Sequence, residues 1–462
     1  MKINSSGSLS ILAVSIALII SGCALNTPAN RDVVDIPADW RFSSGATASL
    51  DTDWWLAFNS DALNTLITEA QLQSPDLRIA QERVLQAELS LSNATAAFLP
   101  TANLSASSGE SRTKPDGGDW NSSDSSRVSL GVSYEVDLWG KLRANRTASK
   151  AGYQASLYDL EASRLSLYSS LASGYFQWLS LNARLETAKK NLAIAERVYQ
   201  IVQARYDNGV VTAADVARQR STLLSQRASI APLELQAQQT RSALAVLLGQ
   251  TPQNFDLSFA PLLEIEVPQM GTLIPSDLLL RRPDIAAAEA QLSAADANLV
   301  AARTALLPSF SLSGSVGQST AMLLSLTGAG SSVSWTASLA QSIFQGGRLV
   351  NQIKVSESQQ RVLLEQYRKT ILTAFQEVDD AFLAVTTQAE QEALQQQVVT
   401  EAQKSLRITE LRYKEGIDDM SSLLDAQRSL FAAEDSLVQQ RLARLNAAIT
   451  LYKVLGGGWL VQ

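Results

Sequence analysis

Residues Val128-Ser129-Leu130-Gly131-Val132-Ser133-Tyr134-Glu135-Val136-Asp137-Leu138 alternate apolar and polar side chains without a slip. Successive side chains of a strand point to opposite faces, so this run builds a ribbon with one apolar and one wet side. The pattern recurs as Phe310, Leu312, Gly314 and Val316 against Ser309, Ser311, Ser313 and Ser315. It appears again as Val333, Trp335, Ala337 and Leu339 against Ser334, Thr336 and Ser338, and more faintly as Ala102, Leu104 and Ala106. The spacing predicts strands over about 101–111, 127–138, 309–317 and 332–343. From Thr304 to Gly347 no residue is charged, in a chain that is 18% charged. That stretch holds no apolar run long enough for a membrane helix, and segments of about ten residues with period two are the signature of transmembrane β-strands. A soluble antiparallel sheet with one wet face would write the same pattern. In the membrane reading the serines, Glu135 and Asp137 line water, and 112–127 and 318–332 are external loops.

Four strands cannot close a barrel, and in lipid an unpaired sheet edge costs several kcal/mol for each bare backbone group. Closure must therefore come from several chains. Two copies give eight strands, whose interior fills with side chains, whereas three give twelve and leave a lumen. A conduit favours the second solution, a homotrimer.

The remaining composition narrows the chemistry. The chain has 462 residues, 46% hydrophobic, a net charge of −7, no His and one Cys. The acidic balance gives no footprint for nucleic acid. Without His, imidazole triads and His-containing zinc sites are excluded, and a single Cys forms no intrachain disulfide. No GxxxxGK[ST] phosphate loop is present, so any energy for transport must come from a partner. The lone Cys23 follows Lys2, the apolar run 11–20 and Ile20-Ser21-Gly22. This is a secretory leader, too short to span a bilayer, and its end resembles a bacterial lipobox. Cleavage after residue 22 would leave Cys23 to be acylated, and Ala24 in place of Asp favours the outer membrane. An ordinary leader with an incidental cysteine is the plainer alternative.

The chain is also duplicated. Ser74-Pro75-Asp76-Leu77 matches Arg282-Pro283-Asp284-Ile285, and Phe98-Leu99-Pro100 matches Leu306-Leu307-Pro308, at an offset of 208. Gly140-Lys141-Leu142 matches Gly347-Arg348-Leu349, Arg205-Tyr206-Asp207-Asn208-Gly209 matches Arg412-Tyr413-Lys414-Glu415-Gly416, and Leu248-Gly249 matches Leu455-Gly456, at 207. Islands that keep one register over such a distance mark a tandem repeat. Each copy reads as a helix of about 24 residues, strands, a very long helix, a turn and a shorter helix. Between Leu349 and Glu415 there is neither Gly nor Pro, which predicts an unbroken helix of about 100 Å at 1.5 Å per residue. Leu364, Ile371, Val378 and Val385, with Phe375 and Phe382, repeat every seven residues as a coiled-coil seam. The matching helix spans about 143–206, with Gly152 and Gly174 as its breaks, and Pro232 should end or kink the helix that starts near Ala213. The organisation expected is a leader (1–22), a lipidated N-terminal segment (23–60), a first repeat (61–256), a linker (257–274), a second repeat (275–457) and a short tail (458–462). The fold class is mixed α and β, dominated by long helices.

Several of these segments resemble the outer-membrane factor family, the lipoprotein-type outer-membrane channels of tripartite efflux pumps. They are Asp53-Trp54-Trp55-Leu56-Ala57-Phe58, Leu280-Arg281-Arg282-Pro283-Asp284-Ile285, Ala305-Leu306-Leu307-Pro308-Ser309, Leu423-Leu424-Asp425-Ala426-Gln427-Arg428-Ser429-Leu430 and Leu455-Gly456-Gly457-Gly458-Trp459. The resemblance implies a homotrimer whose twelve-stranded outer-membrane barrel continues as a periplasmic α-helical barrel. It implies a periplasmic adaptor and a proton-driven inner-membrane transporter as partners, with no cofactor beyond the lipid on Cys23 and no catalysis. A protein-secretion channel fits the same features, and a periplasm-spanning structural lipoprotein without a pore fits the helices though not the charge-free strands.

The resemblance places the turns at Gly209 and Gly416 at the periplasmic tip, where the family docks its adaptor, and puts a gate of acidic residues at the start of the returning helix. The matching positions are Asp425 and, in the first copy, Asp215. Arg218 stands at the position equivalent to Asp425, so Arg218, Arg220 and Arg428 are candidate counter-charges. Ser421 and Ser422 occupy positions where relatives carry a bulky apolar residue or a second Asp, and Asp418 and Asp419 lie one turn earlier. The helix-start reading is equally open: Thr212 with Asp215, and Ser422 with Asp425, have the spacing of N-terminal caps.

Overall fold

The computed structural model describes residues 34–37, 40–41, 52–268 and 275–459. The leader and Cys23 lie outside the described residues. In chain order, a 3-10 turn (Trp54–Phe58) is followed by α1 (Asp61–Gln73), α2 (Pro75–Ala96), β1 (Thr101–Thr113), β2 (Asn121–Val136), α3 (Lys141–Asp207), α4 (Ala213–Ala228) and α5 (Ile230–Leu247). The second half runs α6 (Pro275–Arg281), α7 (Pro283–Thr304), β3 (Ser309–Thr320), β4 (Gly330–Ala340), α8 (Arg348–Lys414) and α9 (Met420–Val454). The order of the second half repeats the first, as the duplication requires. Pro75 and Pro283 take the first position of α2 and α7, where no N–H is needed, and Asp76 and Asp284 follow in the first turn, where the helix dipole favours a carboxylate. Among the described residues no helix is long and apolar enough to cross a membrane.

The chain divides into two compact units. One, built from Val84–Ser156 and Ala287–Arg368, contains the sheet. Its four strands are antiparallel in the order β1-β2-β3-β4. The register puts Leu104, Leu130, Val316 and Val333 in one row and Ala102, Val132, Gly314 and Trp335 in the next, so one face is apolar throughout its middle. It is uncovered in the single chain: Val333 is 81% and Trp335 84% exposed. The other face is a field of hydroxyls, where Thr101 meets Ser133 at 2.7 Å, Ser105 meets Ser129 at 2.9 Å and Ser315 meets Ser334 at 2.9 Å. The outer edges of β1 and β4 have no strand partner within the sheet. Below β2, Asp137 accepts from the Leu142 and Arg143 N–H groups at 3.0 Å each and so caps the start of α3.

At their outer ends the strands are longer, and the loops shorter, than the alternation implied, while β2 stops at Val136 and β4 at Ala340, short of the expected 138 and 343, where the chain turns toward α3 and α8. β1 extends to Thr113 and β2 starts at Asn121, so most of 112–127 is paired strand and only 114–120 connects them. Likewise 318–332 shrinks to a connection over 321–329. The added stretch is Asn121-Ser122-Ser123-Asp124-Ser125-Ser126, which pairs through its backbone yet carries no apolar face for periodicity to detect. Nor is α3 broken at Gly152 or Gly174. At Gly174 a Cβ would stand 2.9 Å from Leu244 Cδ2, so the glycine serves close helix packing.

The second unit comprises Val34–Arg83, Leu157–Ala286 and Lys369–Gln462. Its core joins Leu171, Tyr175, Phe176 and Leu179 of α3 to Phe58, Leu63, Ile67, Leu244, Leu445 and Ile449. Trp54 stacks on Tyr452 with ring centroids 5.3 Å apart. The seven-residue seam of α8 is buried at Ile371 and Val378, and Trp40 packs against Phe375 and Phe382. Arg282, only 10% exposed, donates to Asp284 at 2.8 and 3.0 Å and to the Val454 carbonyl at 3.2 Å, and pairs with Glu377 at 2.7 Å. The described part of the linker is packed: Leu257, Leu262 and Ile265 are buried, and Arg441 donates to the carbonyls of Leu263 and Ile265. The break near Pro232 falls at Ser229, between α4 and α5, with the proline inside the first turn of α5.

Candidate gate at the ends of the long helices

Each long helix ends in the same way. Gly209 and Gly416 have φ of +75° and +76°, the left-handed conformation that other residues adopt at a cost. Their N–H groups donate to the Tyr206 and Tyr413 carbonyls at 2.8 and 3.1 Å. The next residues, Val210 and Ile417, donate to Arg205 and Arg412, both at 2.9 Å. These paired back-bonds satisfy carbonyls that the helix end would leave bare.

The returning helices start with the same geometry made from exchanged chemistry. In the first copy Thr212 Oγ1 accepts from the Asp215 N–H at 3.3 Å, while Asp215 Oδ2 accepts from the Thr212 N–H at 3.0 Å and from its hydroxyl at 2.8 Å. In the second, Asp419 Oδ1 accepts from the Ser422 N–H at 2.8 Å and its hydroxyl at 2.7 Å. At an offset of 207, Thr212 corresponds to Asp419 and Asp215 to Ser422. Hydroxyl and acid have traded places. Thus Asp419, not Ser422, is the cap of α9, and Asp425 stands in the second turn rather than at a cap. The hydrogen bonds from Thr212, with the Arg218 charge beside them, hold the Asp215 carboxyl below the usual range. Those from Ser422 do the same for Asp419.

The candidate counter-charges separate into local pairs. Arg218 reaches Asp215 at 3.5 Å, and Arg428 reaches Asp425 at 3.8 Å with both side chains largely exposed. Arg220 is exposed and forms no ion pair among the described residues. Ser421 is exposed beside buried Leu423 and Leu424.

Two contacts that the motifs did not disclose tie the turns together. The Arg205 guanidinium lies 4.6 Å from the centroid of the Tyr413 ring and donates to the Tyr413 carbonyl, joining the end of α3 to the end of α8. Tyr413 is buried, which pushes its phenol up, and its hydroxyl has no hydrogen-bond partner among the described residues. The equivalent Arg412 instead forks onto Asp418, with both bonds at 2.9 Å, and that carboxylate raises the guanidinium further. Tyr206, equivalent to Tyr413, is left 43% exposed. The repeated Arg-Tyr pair was visible as a match between the copies; its two different uses were not.

A sequence model of the outer membrane efflux protein family matches residues 66–250 and 274–457. The chain belongs to the outer membrane efflux protein family. This efflux protein is 37% identical over 457 residues to the pyoverdine export outer membrane protein OpmQ of Pseudomonas aeruginosa, covering 96% of each chain. Its fold matches the Campylobacter jejuni CmeC outer membrane channel with a TM-score of 0.85, 25% identity and coverage of 95% and 96%. It matches the open state of the Neisseria gonorrhoeae MtrE outer membrane channel with a TM-score of 0.82, 29% identity and coverage of 94% and 98%. The two matched segments are the two repeats, and the mixed α and β fold with its four-stranded sheet is the expected one. Family and neighbours are channels, not enzymes.

Proposed function

We propose that three copies of this outer-membrane protein form one passive duct, the exit of a tripartite efflux pump for small molecules. A four-stranded sheet with an apolar face, a hydroxyl face and two open edges carries the reading. Three such sheets joined edge to edge make twelve strands, with lipid outside and water inside. The leader sends the chain across the inner membrane, and acylation of Cys23 anchors it to outer-membrane lipid. The turns at Gly209 and Gly416 receive the periplasmic adaptor, which couples the duct to a proton-driven inner-membrane transporter.

Asp425, exposed and held only by Arg428 at 3.8 Å, is the gate residue that threefold symmetry repeats around the axis. Asp215 and Arg218, Asp418, Asp419, Ser421 and Ser422 shape the same constriction, the capping residues by fixing where the returning helices begin. Purified protein in planar bilayers should give ion conductance in discrete steps, and Asp425→Ala should raise it. A bilayer that stays silent contradicts the duct, while unchanged conductance in the variant removes only the gate.

A further inference from the structure

The hydroxyl face of the sheet is almost free of charge. Among the strand residues of this face, only Arg127 and Glu135 of β2 carry ionisable side chains. Glu135 is neutralised by Lys141, whose Nζ lies 2.9 Å away. Arg127 is exposed, stands between Ser107 and Ser319, and has no ion pair among the described residues.

Its surroundings offer no counter-charge. The nearest carboxylate along β2, Asp124, is three residues or about 10 Å away on the opposite face, where it stands across from Glu110. Lys114, Asp116 and Asp119 belong to the connection that begins about 20 Å further along the strand, more than twice the screening length of about 8 Å at physiological salt. The edge strands β1 and β4 bring no charge on this face, so joining them to other copies leaves the guanidinium unmatched. At the equivalent position of the second repeat stands Ser334, so each chain supplies one such cation.

Resting on the trimeric duct proposed above, we infer that Arg127 is the selectivity residue of the β-lumen. Three guanidinium groups form a cationic ring near its outer end that favours the exit of solutes carrying net negative charge. A like-charged ring in a water-filled passage with low-dielectric walls focuses its field on the permeating species, as charged rings do in other pores. Arg127 projects among serines on a wet face, so its replacement removes charge without opening a core.

The test is the chloride-to-potassium permeability ratio of the full-length channel under a KCl gradient. Arg127→Ser should lower the ratio roughly threefold, Arg127→Glu further, and Arg127→Lys should keep it near the parent value. Hexacyanoferrate(III), a trivalent anion, should block the parent channel from the barrel side at lower concentration than the Ser variant, with no difference from the helical side. Equal ratios and equal block in parent, Ser and Glu proteins would overturn the assignment while leaving the duct intact. Absence of conductance in the parent would instead remove the duct on which the assignment rests.

Discussion

The two turns that end the long helices share one backbone and differ in what holds it. Gly209 and Gly416, and the back-bonds from Val210 and Ile417, superpose in kind at an offset of 207. Around that frame the first copy reaches outward: Arg205 covers the ring of Tyr413 and binds its carbonyl in the other repeat. The second copy turns inward, because Asp418, standing where the first copy has Val211, takes both arms of Arg412. One acidic residue at this position thus accompanies a self-contained arginine where the other copy has a bridging one. The Arg205 contact therefore braces both long helices at once, whereas the Arg412–Asp418 pair closes only its own turn.

Removing the bridge should have the largest effect. Arg205→Ala loses a stacked cation and a charged hydrogen bond, about 1–2 kcal/mol together, and amide exchange around 411–417 should accelerate roughly tenfold or more. Arg412→Ala should change exchange in its own turn and leave 204–210 nearly as before. If both variants loosen both turns equally, the asymmetry is wrong.

The exchanged caps give a sharper and smaller test. Thr212→Ala should cost about 1 kcal/mol locally. The double change Thr212→Asp with Asp215→Ser imports the second copy's chemistry, and exchange over 212–218 should return to within a factor of about two of the parent. Failure of the double variant to recover would mean that the two caps are not equivalent.

Acid should produce the mildest response. Both carboxyls titrate below the ordinary value of about 3.9 in the folded protein, so each cap is complete above about pH 4 and is lost as pH falls through the lower folded values. Exchange at 212–216 and 419–423, corrected for its intrinsic pH dependence, should be flat from pH 7 to 5 and rise only below pH 4. A rise near pH 6 would contradict these assignments.

How far residues alone reached differs between the strands and the ends of the long helices. The period of two in 128–136 has an apolar face to alternate with, so the middle of the strand could be read directly. Its extension over 121–126 could not, because that stretch is polar on both sides and held by backbone pairing. The long helices were visible from the absence of Pro and Gly, but Gly174 looked like a break because its partner Leu244 lies 70 residues away. At the start of α9, 419/422 and 422/425 both offered an acid and a hydroxyl three apart. The repeat offset, which aligns Asp419 with Thr212, contained the answer. The Arg205 and Arg412 contacts depend on which side chain lies nearest in space, and the repeated Arg-Tyr signal predicts sameness where the structure has difference.

Native mass spectrometry of the detergent-extracted protein bears most directly on shared closure of the sheet. A complex of three chains, dissociating only when β1 and β4 edges are disrupted, is the predicted result. A stable single chain or a two-chain complex would contradict it, since neither leaves a twelve-stranded lumen.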